Sequence, residues 1–304
     1  MIIVGLLLIV ALFAYVAYRY IRVQRCLFEE TACTLLDPCR NDPSTWRIPR
    51  VIYRTYMDVE SAEKFKPVWN HTQANNPSFT QVLVTDDEVD QFMRTNFKGR
   101  VNDAFQRLNP NYGSARADLY RYCQLYATGG IYLDIKTSCG DLRKIIHPSD
   151  GMLLSTADEK KVLTWTTLPV WTGVGGHPEY RELQQFYIIA APKHPLLRAA
   201  IEQVVENIET YDDAIYTSDT NPFSSFLRFL NPAFQKVLSV TGPFAYTTAI
   251  LRAIREDGVR DFRVLCPHAN GIIKYSVGSV NHTTVTNKKH YSKVRGPLVL
   301  PKNV

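Results

Sequence analysis

The segment Ala115 to Lys136, ARADLYRYCQLYATGGIYLDIK, constrains the fold more than any other part of the chain. Leu119, Tyr122, Leu125 and Tyr126 recur at helical spacing, so a helix with one apolar stripe is expected from about Ser114 to Thr128. Gly129-Gly130 ends that helix as a glycine cap and lets the chain turn back sharply. Ile131 to Leu133 then reads as a short apolar strand with Asp134 at its carboxyl end. Asp118 and Arg121 stand three apart on the helix and share a face. A helix that doubles back into a strand brings that face close to Asp134. Carboxylates and a guanidinium gathered at a strand end suit sugar hydroxyls and a diphosphate. A carboxylate accepts from vicinal hydroxyls, and arginine meets phosphate as a planar fork. On spacing alone, Asp118 and Arg121 also fit an ordinary surface ion pair, and Asp134 a plain strand terminus.

The remainder alternates strands and helices. Arg50 to Tyr56 and Phe79 to Val84 read as strands, and Ser61 to His71 as a helix between them. Thr85 or Asp86 is placed to cap a further helix, with Glu88 in its first turn. His194 to Thr210 and Pro243 to Glu256 have helical spacing, while Met152 to Ser155 and Phe262 to Cys266 read as strands. This alternation predicts an α/β sandwich around a mostly parallel central sheet, with ligands at the carboxyl ends of its strands. At 304 residues, 45% apolar and 21% charged, the chain can bury such a core and is not of disordered type.

Ile2 to Tyr18 carries no charge and is long enough for one bilayer crossing. No Lys or Arg precedes it and no small-residue cleavage site follows it, which favours an uncleaved anchor over a signal peptide. The expected organisation is an anchor over 1–18, a stem over 19–47 and a catalytic domain over 48–304. Arg19, Arg22 and Arg25 follow the span directly, which favours a cytosolic domain by the positive-inside rule. The sequons at Asn70 and Asn281 favour a lumenal one, so the Golgi or ER lumen and the cytosolic face both stay open. Six cysteines contain no C-x-x-C pair, and Cys33 with Cys39 forms a disulfide only in an oxidising lumen. The net charge of +6 is dispersed, without the basic stripe or finger spacing of a nucleic-acid binder; a nucleotide diphosphate is the better anionic partner. Trp165 and Trp171 read as packing residues, with acceptor stacking as the alternative.

The central segment resembles the family 32 glycosyltransferases, the group that includes the yeast initiating α-1,6-mannosyltransferase and the inositolphosphoceramide mannosyltransferases. Asp118, Arg121, Tyr122, Leu125, Gly129, Gly130, Tyr132 and Asp134 match the family's S-D-x-x-R-Y-x-x-L-x-x-x-G-G-x-Y-x-D-x-D pattern in register. Ile48-Pro49 with Val51-Ile52 and Thr55-Tyr56 is similar to its opening strand. Trp69, Asn76-Pro77, Val84-Thr85-Asp86, His194-Pro195 and Thr241-Gly242-Pro243 stand where its other markers do, so the likeness runs over about 48–295.

That resemblance implies a GT-A fold and transfer of a hexose from a GDP- or UDP-sugar, with retention, to a glycan, glycolipid or glycoprotein. It implies donor-sugar contacts at Asp118 and Arg121, donor contacts at Tyr132, and Tyr53 and Thr55 beside the base. It gives Asp134 the first D-x-D position, towards the ribose and a Mn2+ or Mg2+ ion, with His290 as a late metal ligand. The chain departs from the pattern in three places. Ala117 replaces a serine, and Tyr53-Arg54 replaces a His-Gln that bears on the base. Lys136 replaces the second aspartate, normally the direct metal ligand; a protonated lysine cannot coordinate a cation, and as a donor-binding residue its ammonium would supply beside the diphosphate part of the charge a metal gives, the alternative being a weaker metal site kept by Asp134 and His290. Two rival readings are an inactive sugar- or lipid-binding relative and a nucleotidyltransferase. The latter usually has a glycine-rich loop after its first strand, and Met57-Asp58-Val59-Glu60 contains no glycine.

Overall fold

A computed structural model describes residues 35–156, 183–213, 232–275 and 294–301. One six-stranded sheet contains β1 (Val51–Tyr56), β2 (Thr80–Thr85), β3 (Gly130–Leu133), β5 (Met152–Ser155), β6 (Tyr187–Ala190) and β7 (Arg263–Leu265). A small ribbon pairs β4 (Ser138–Cys139) with β8 (Ile273–Lys274). The main sheet has the order β2-β1-β3-β6-β5-β7. β1 pairs in parallel with β2 and β3, and β5 with β7, while β6 is antiparallel to both of its neighbours. The expected mostly parallel sheet is therefore corrected to a mixed one, with a single reversed strand next to β3. Tyr187–Ala190 is a short apolar run inside the fold, and such a run carries no sign of its direction.

The helices are α1 (Lys66–Asn75), α2 (Asp86–Asn96), α3 (Arg100–Arg107), α4 (Gly113–Thr128), α5 (Pro195–Glu209), α6 (Pro232–Val240) and α7 (Pro243–Arg255). The stretch expected as a helix near Ser61 to His71 is helical, in three successive pieces: one α-helical turn, Val59–Ala62, a 3-10 turn, Glu63–Phe65, and α1. Pro67 lies in the first turn of α1, where its missing N–H costs nothing. Thr85 and Glu88 form the expected capping box at the start of α2.

Strand alternation sorts the core into two faces. Tyr132, Met152, Leu154, Ile188 and Ala190 face the cluster packed by α4, α5 and α7. Ile52, Ile131, Leu133, Leu153 and Ile189 face the opposite cluster with Trp46, Phe79, Leu142 and Ile273. Residues 35–47, read from the sequence as stem, contribute to this second cluster. Trp46 Nε1 donates to Asn41 Oδ1 at 2.8 Å, and Asn41 Nδ2 donates to the Arg143 carbonyl at 2.7 Å. The proposed anchor lies outside the described residues. Among the described residues one helical stretch, Lys236–Arg255, is long and apolar enough to cross a membrane. It is 78% buried within the fold, as a core helix pair should be. Cys39 is free, so the Cys33–Cys39 disulfide does not form, whereas Cys266 is disulfide-bonded.

The turn from α4 into β3 rests on its two glycines. Gly129 has φ 67°, and a Cβ there would lie 2.7 Å from Pro192 Cδ and 2.9 Å from Pro49 Cδ. Gly130 has φ 107°, and a Cβ there would lie 2.8 Å from the Val51 carbonyl oxygen in the neighbouring strand. Both backbone strain and overlap therefore oppose a side chain. Gly129→Ala and Gly130→Ala should each cost about 2 kcal/mol or more. For a chain of this size that lowers Tm by about 4 °C or more in a thermal melt. A melt unchanged from the parent protein would show that the turn does not need its glycines.

Candidate functional site

Helix and strand geometry bring the motif together. Asp118 lies eleven residues before Gly129, roughly 16 Å along a helix. Asp134 lies five residues after Gly129, roughly 17 Å along a strand. Both carboxylates thus stand at about the same height above the turn, with Arg121 between them. Arg121 Nη2 is 3.0 Å from Asp118 Oδ1, and Arg121 Nη1 is 3.2 Å from Asp134 Oδ1. Asp118 and Arg121 are 3% and 5% exposed, so this is a buried ion pair; the Asp134 side chain is 26% exposed and is the open end of the bridge.

A buried bridge of this kind persists only if its remaining donors and acceptors find partners. Arg121 Nη1 also donates to the Gln185 carbonyl at 2.8 Å, and its guanidinium sits 4.5 Å above the Tyr132 ring. Asp118 Oδ2 accepts from Thr241 Oγ1 at 3.0 Å, and Asp118 Oδ1 accepts from Gln185 Nε2 at 3.4 Å. Tyr122 Oη donates to Gln185 Oε1, which fixes that amide. Burial pushes the Asp118 carboxyl upward, opposed by Arg121 and by the Thr241 hydroxyl. Asp134 is raised by burial as well, opposed by Arg121, Tyr132, Arg54 and Lys136. Burial disfavours charge on Arg121, but Asp134, Tyr132 and Asp118 outweigh it and hold the guanidinium protonated.

The reversed strand explains the presence of Gln185. Because β6 runs against β3, the residues just before it lie beside the carboxyl end of β3. The Asp134 N–H donates to the Phe186 carbonyl at 2.8 Å, which extends the ladder. Phe186 in turn packs against Tyr275 at 4.9 Å between ring centroids and His268 at 6.1 Å. Tyr275 is 47% exposed, and burial together with the nearby Asp134 pushes its hydroxyl up to about 12. An aromatic wall therefore stands beside Asp134. Gln185, Phe186 and Tyr275 carried no recognisable signal in the sequence. Thr241 lay inside a family marker, but its contact with Asp118 spans 123 positions.

The other expected site residues divide by location. Tyr132 is buried beneath Arg121 and shares a hydrogen bond with Thr55 Oγ1 at 2.9 Å, so both brace the bridge from below. Tyr53 lies towards the glycine turn, where its hydroxyl accepts from Thr128 Oγ1 at 3.2 Å. It is thus not gathered with Asp134. Arg54, which with Tyr53 replaces the His-Gln of the family's opening strand, is 1% exposed on the opposite face of β1. Its Nη1 donates to the Asp134 carbonyl at 3.0 Å and the Thr137 carbonyl at 2.6 Å, and its Nη2 to Thr72 Oγ1 at 3.2 Å. Arg54 therefore clamps the turn that carries Lys136. Burial pushes it down to about 10, still charged at neutral pH.

His290 lies outside the described residues. Among the described residues, no group of three or more His, Cys, Asp or Glu side chains gathers to hold a metal ion. Asp134 has a guanidinium on one oxygen and a lysine two residues further on. Among the described residues a divalent cation at Asp134 would therefore draw its other oxygens from substrate phosphates and water, with Lys136 two residues away opposing it.

Residues 62–149 match the family model for the glycosyltransferase sugar-binding region containing the DXD motif. The chain is 33% identical over 101 residues to inositol phosphoceramide mannosyltransferase 3 of Schizosaccharomyces pombe, covering 33% of this chain and 28% of that protein. It is 24% identical over 289 residues to a mannosyl phosphorylinositol ceramide synthase of Saccharomyces cerevisiae, covering 92% of this chain and 67% of that protein. The initiation-specific alpha-1,6-mannosyltransferase of Schizosaccharomyces pombe is 22% identical over 228 residues, with 67% of this chain and 48% of that protein covered. Against the solved PaToxG glycosyltransferase, identity is 16% and the TM-score 0.42, over 68% of this chain and 69% of that one. The chain thus spans from 28% to 67% of the length of these three curated relatives. With its D-x-x-R helix, glycine turn and Asp134 inside the matched region, the chain is similar over that region to the glycosyltransferases of the DXD sugar-binding type.

Proposed function

We propose that this protein transfers a hexose from a GDP- or UDP-sugar to a glycolipid or glycan acceptor, with retention of anomeric configuration. The observation that carries the reading is the Arg121 bridge between Asp118 and Asp134 at the carboxyl end of β3. In this reading Asp134, the open carboxylate, accepts from hydroxyls of the donor. Arg121 and Asp118 lie beneath it and fix its charge and direction, so the site needs little rearrangement when the donor arrives. Phe186 and Tyr275 offer ring faces for a sugar or a base. The mannosyltransferase names of the relatives support mannose as the hexose and an inositol-phosphate lipid as the acceptor class. No described residue set supports a metal step, so the reading contains none.

Nucleotide release from a panel that includes GDP-mannose and UDP-glucose, with and without acceptor lipid, tests the proposal. Release from one donor, stimulated by acceptor, is the expected result. Binding without release from any donor would favour an inactive sugar-binding relative.

Asp134→Asn keeps shape and loses charge at a partly open position. It should lower turnover roughly 100-fold or more while leaving Tm nearly unchanged. Arg121→Ala should also abolish transfer, but at a cost of about 3–5 kcal/mol in stability, because it strands two carboxylates, one of them fully buried. Melting curves separate the two effects. An Asp134→Asn enzyme with parental turnover would remove Asp134 from the site.

We also infer that the domain faces an oxidising lumen, because Cys266 is disulfide-bonded. An exposed Asn70 within its sequon fits the same side. In sealed microsomes the domain should resist protease and lose mass on endoglycosidase treatment. Digestion without detergent would place it in the cytosol, as Arg19, Arg22 and Arg25 favour.

A further inference from the structure

We infer that Lys64 and Lys136 hold the diphosphate of the donor directly, taking the place that a divalent cation fills where the second D-x-D aspartate is present. The inference rests on the transferase reading above and specifies how its donor is bound.

Both lysines follow carboxyl ends of adjacent parallel strands. Lys64 lies in the one-turn helix Glu63–Phe65 after β1, and Lys136 lies in the turn after β3. The ends of neighbouring parallel strands form the crevice where ligands bind in an α/β sheet. Lys64 Nζ lies 5.2 Å from the ring of Tyr56, the last residue of β1, which puts it at the same end of the sheet as Lys136. Lys64 Nζ is buried and has no hydrogen-bond partner. Its described neighbours are the Tyr56 and Phe65 rings, at 5.2 Å and 5.1 Å to their centroids, and the Asp58 carboxylate, which favours its charge without accepting a hydrogen bond from it. A buried ammonium without an acceptor is costly, and it is most readily explained if an anion completes the site.

The surrounding charges agree. Lys64, Lys136, Arg54 and Arg121 face three carboxylates, Asp58, Asp118 and Asp134. Asp118 is already committed to Arg121 and Thr241, and Asp134 to Arg121. The crevice thus has an excess of one positive charge before any ligand enters. A diphosphate neutralises that excess, whereas a divalent cation would enlarge it. Arg54 sets the position of Lys136 by clamping the Asp134 and Thr137 carbonyls on either side of it. Lysine serves phosphate well as a compact point charge with three donors.

Isothermal titration of GDP and UDP into the full chain in detergent tests this, in EDTA and again in Mn2+. The parent protein should bind one of the two in EDTA, with Mn2+ changing Kd by less than about threefold. Lys64→Met and Lys136→Met keep the aliphatic stems. Each should weaken that binding about tenfold, and the pair together about a hundredfold, with Tm unchanged. Binding that appears only with Mn2+ would overturn the lysine assignment and leave the transferase reading standing. A double variant that binds like the parent would also overturn it. Binding of neither nucleotide in either buffer would bring down both readings.

Discussion

The site depends on one buried interaction, the guanidinium of Arg121 held between the carboxylates of Asp118 and Asp134. Taking three charges out of water is expensive, and Coulomb attraction offsets the cost only when every remaining donor and acceptor is occupied. That requirement reaches well beyond the motif. Thr241 comes from the link between two helices, Gln185 from the approach to β6, and Tyr132 from below. The helix, turn and strand that carry the three charges must also agree in length, so that all three stand at one height. The glycine pair makes that possible by bringing backbone against backbone where a side chain has no room.

The direction of β6 follows from the same requirement. A parallel strand in that place would present its far end beside Asp134. The reversed strand instead supplies Gln185 and Phe186, one to the bridge and one to an aromatic wall. The single break in a sheet of otherwise common direction therefore falls next to the chemistry. It supplies one side of the crevice at the carboxyl end of β3.

Charge in that crevice departs from the D-x-D pattern that the central segment resembles. Arg54, fully buried, spends its donors on the carbonyls of the turn after β3 rather than on a ligand. Lys136 extends from that turn, and Lys64 approaches from the neighbouring strand end. The result is a preorganised positive field where phosphate groups would lie. Such a field in a partly desolvated site acts more strongly than it would in water.

Much of this was legible in the chain before folding was considered. Helical spacing in Leu119 to Tyr126, the Gly129-Gly130 stop, the capping pair Thr85 and Glu88 and the strands at Val51 and Met152 are local signals, and each fell where expected. The eight matched positions carried the resemblance to the DXD glycosyltransferases and singled out Asp118, Arg121 and Asp134. The direction of β6, the clamp made by Arg54, the packing of residues 35–47 and the partners Gln185 and Thr241 were not legible. Each depends on contacts between positions far apart in the chain, and no local period records them. Sequence by itself determined which residues carry charge and which segments bend or extend. Only tertiary structure decided which charges meet, because burial and long-range pairing set the cost of leaving any one of them alone.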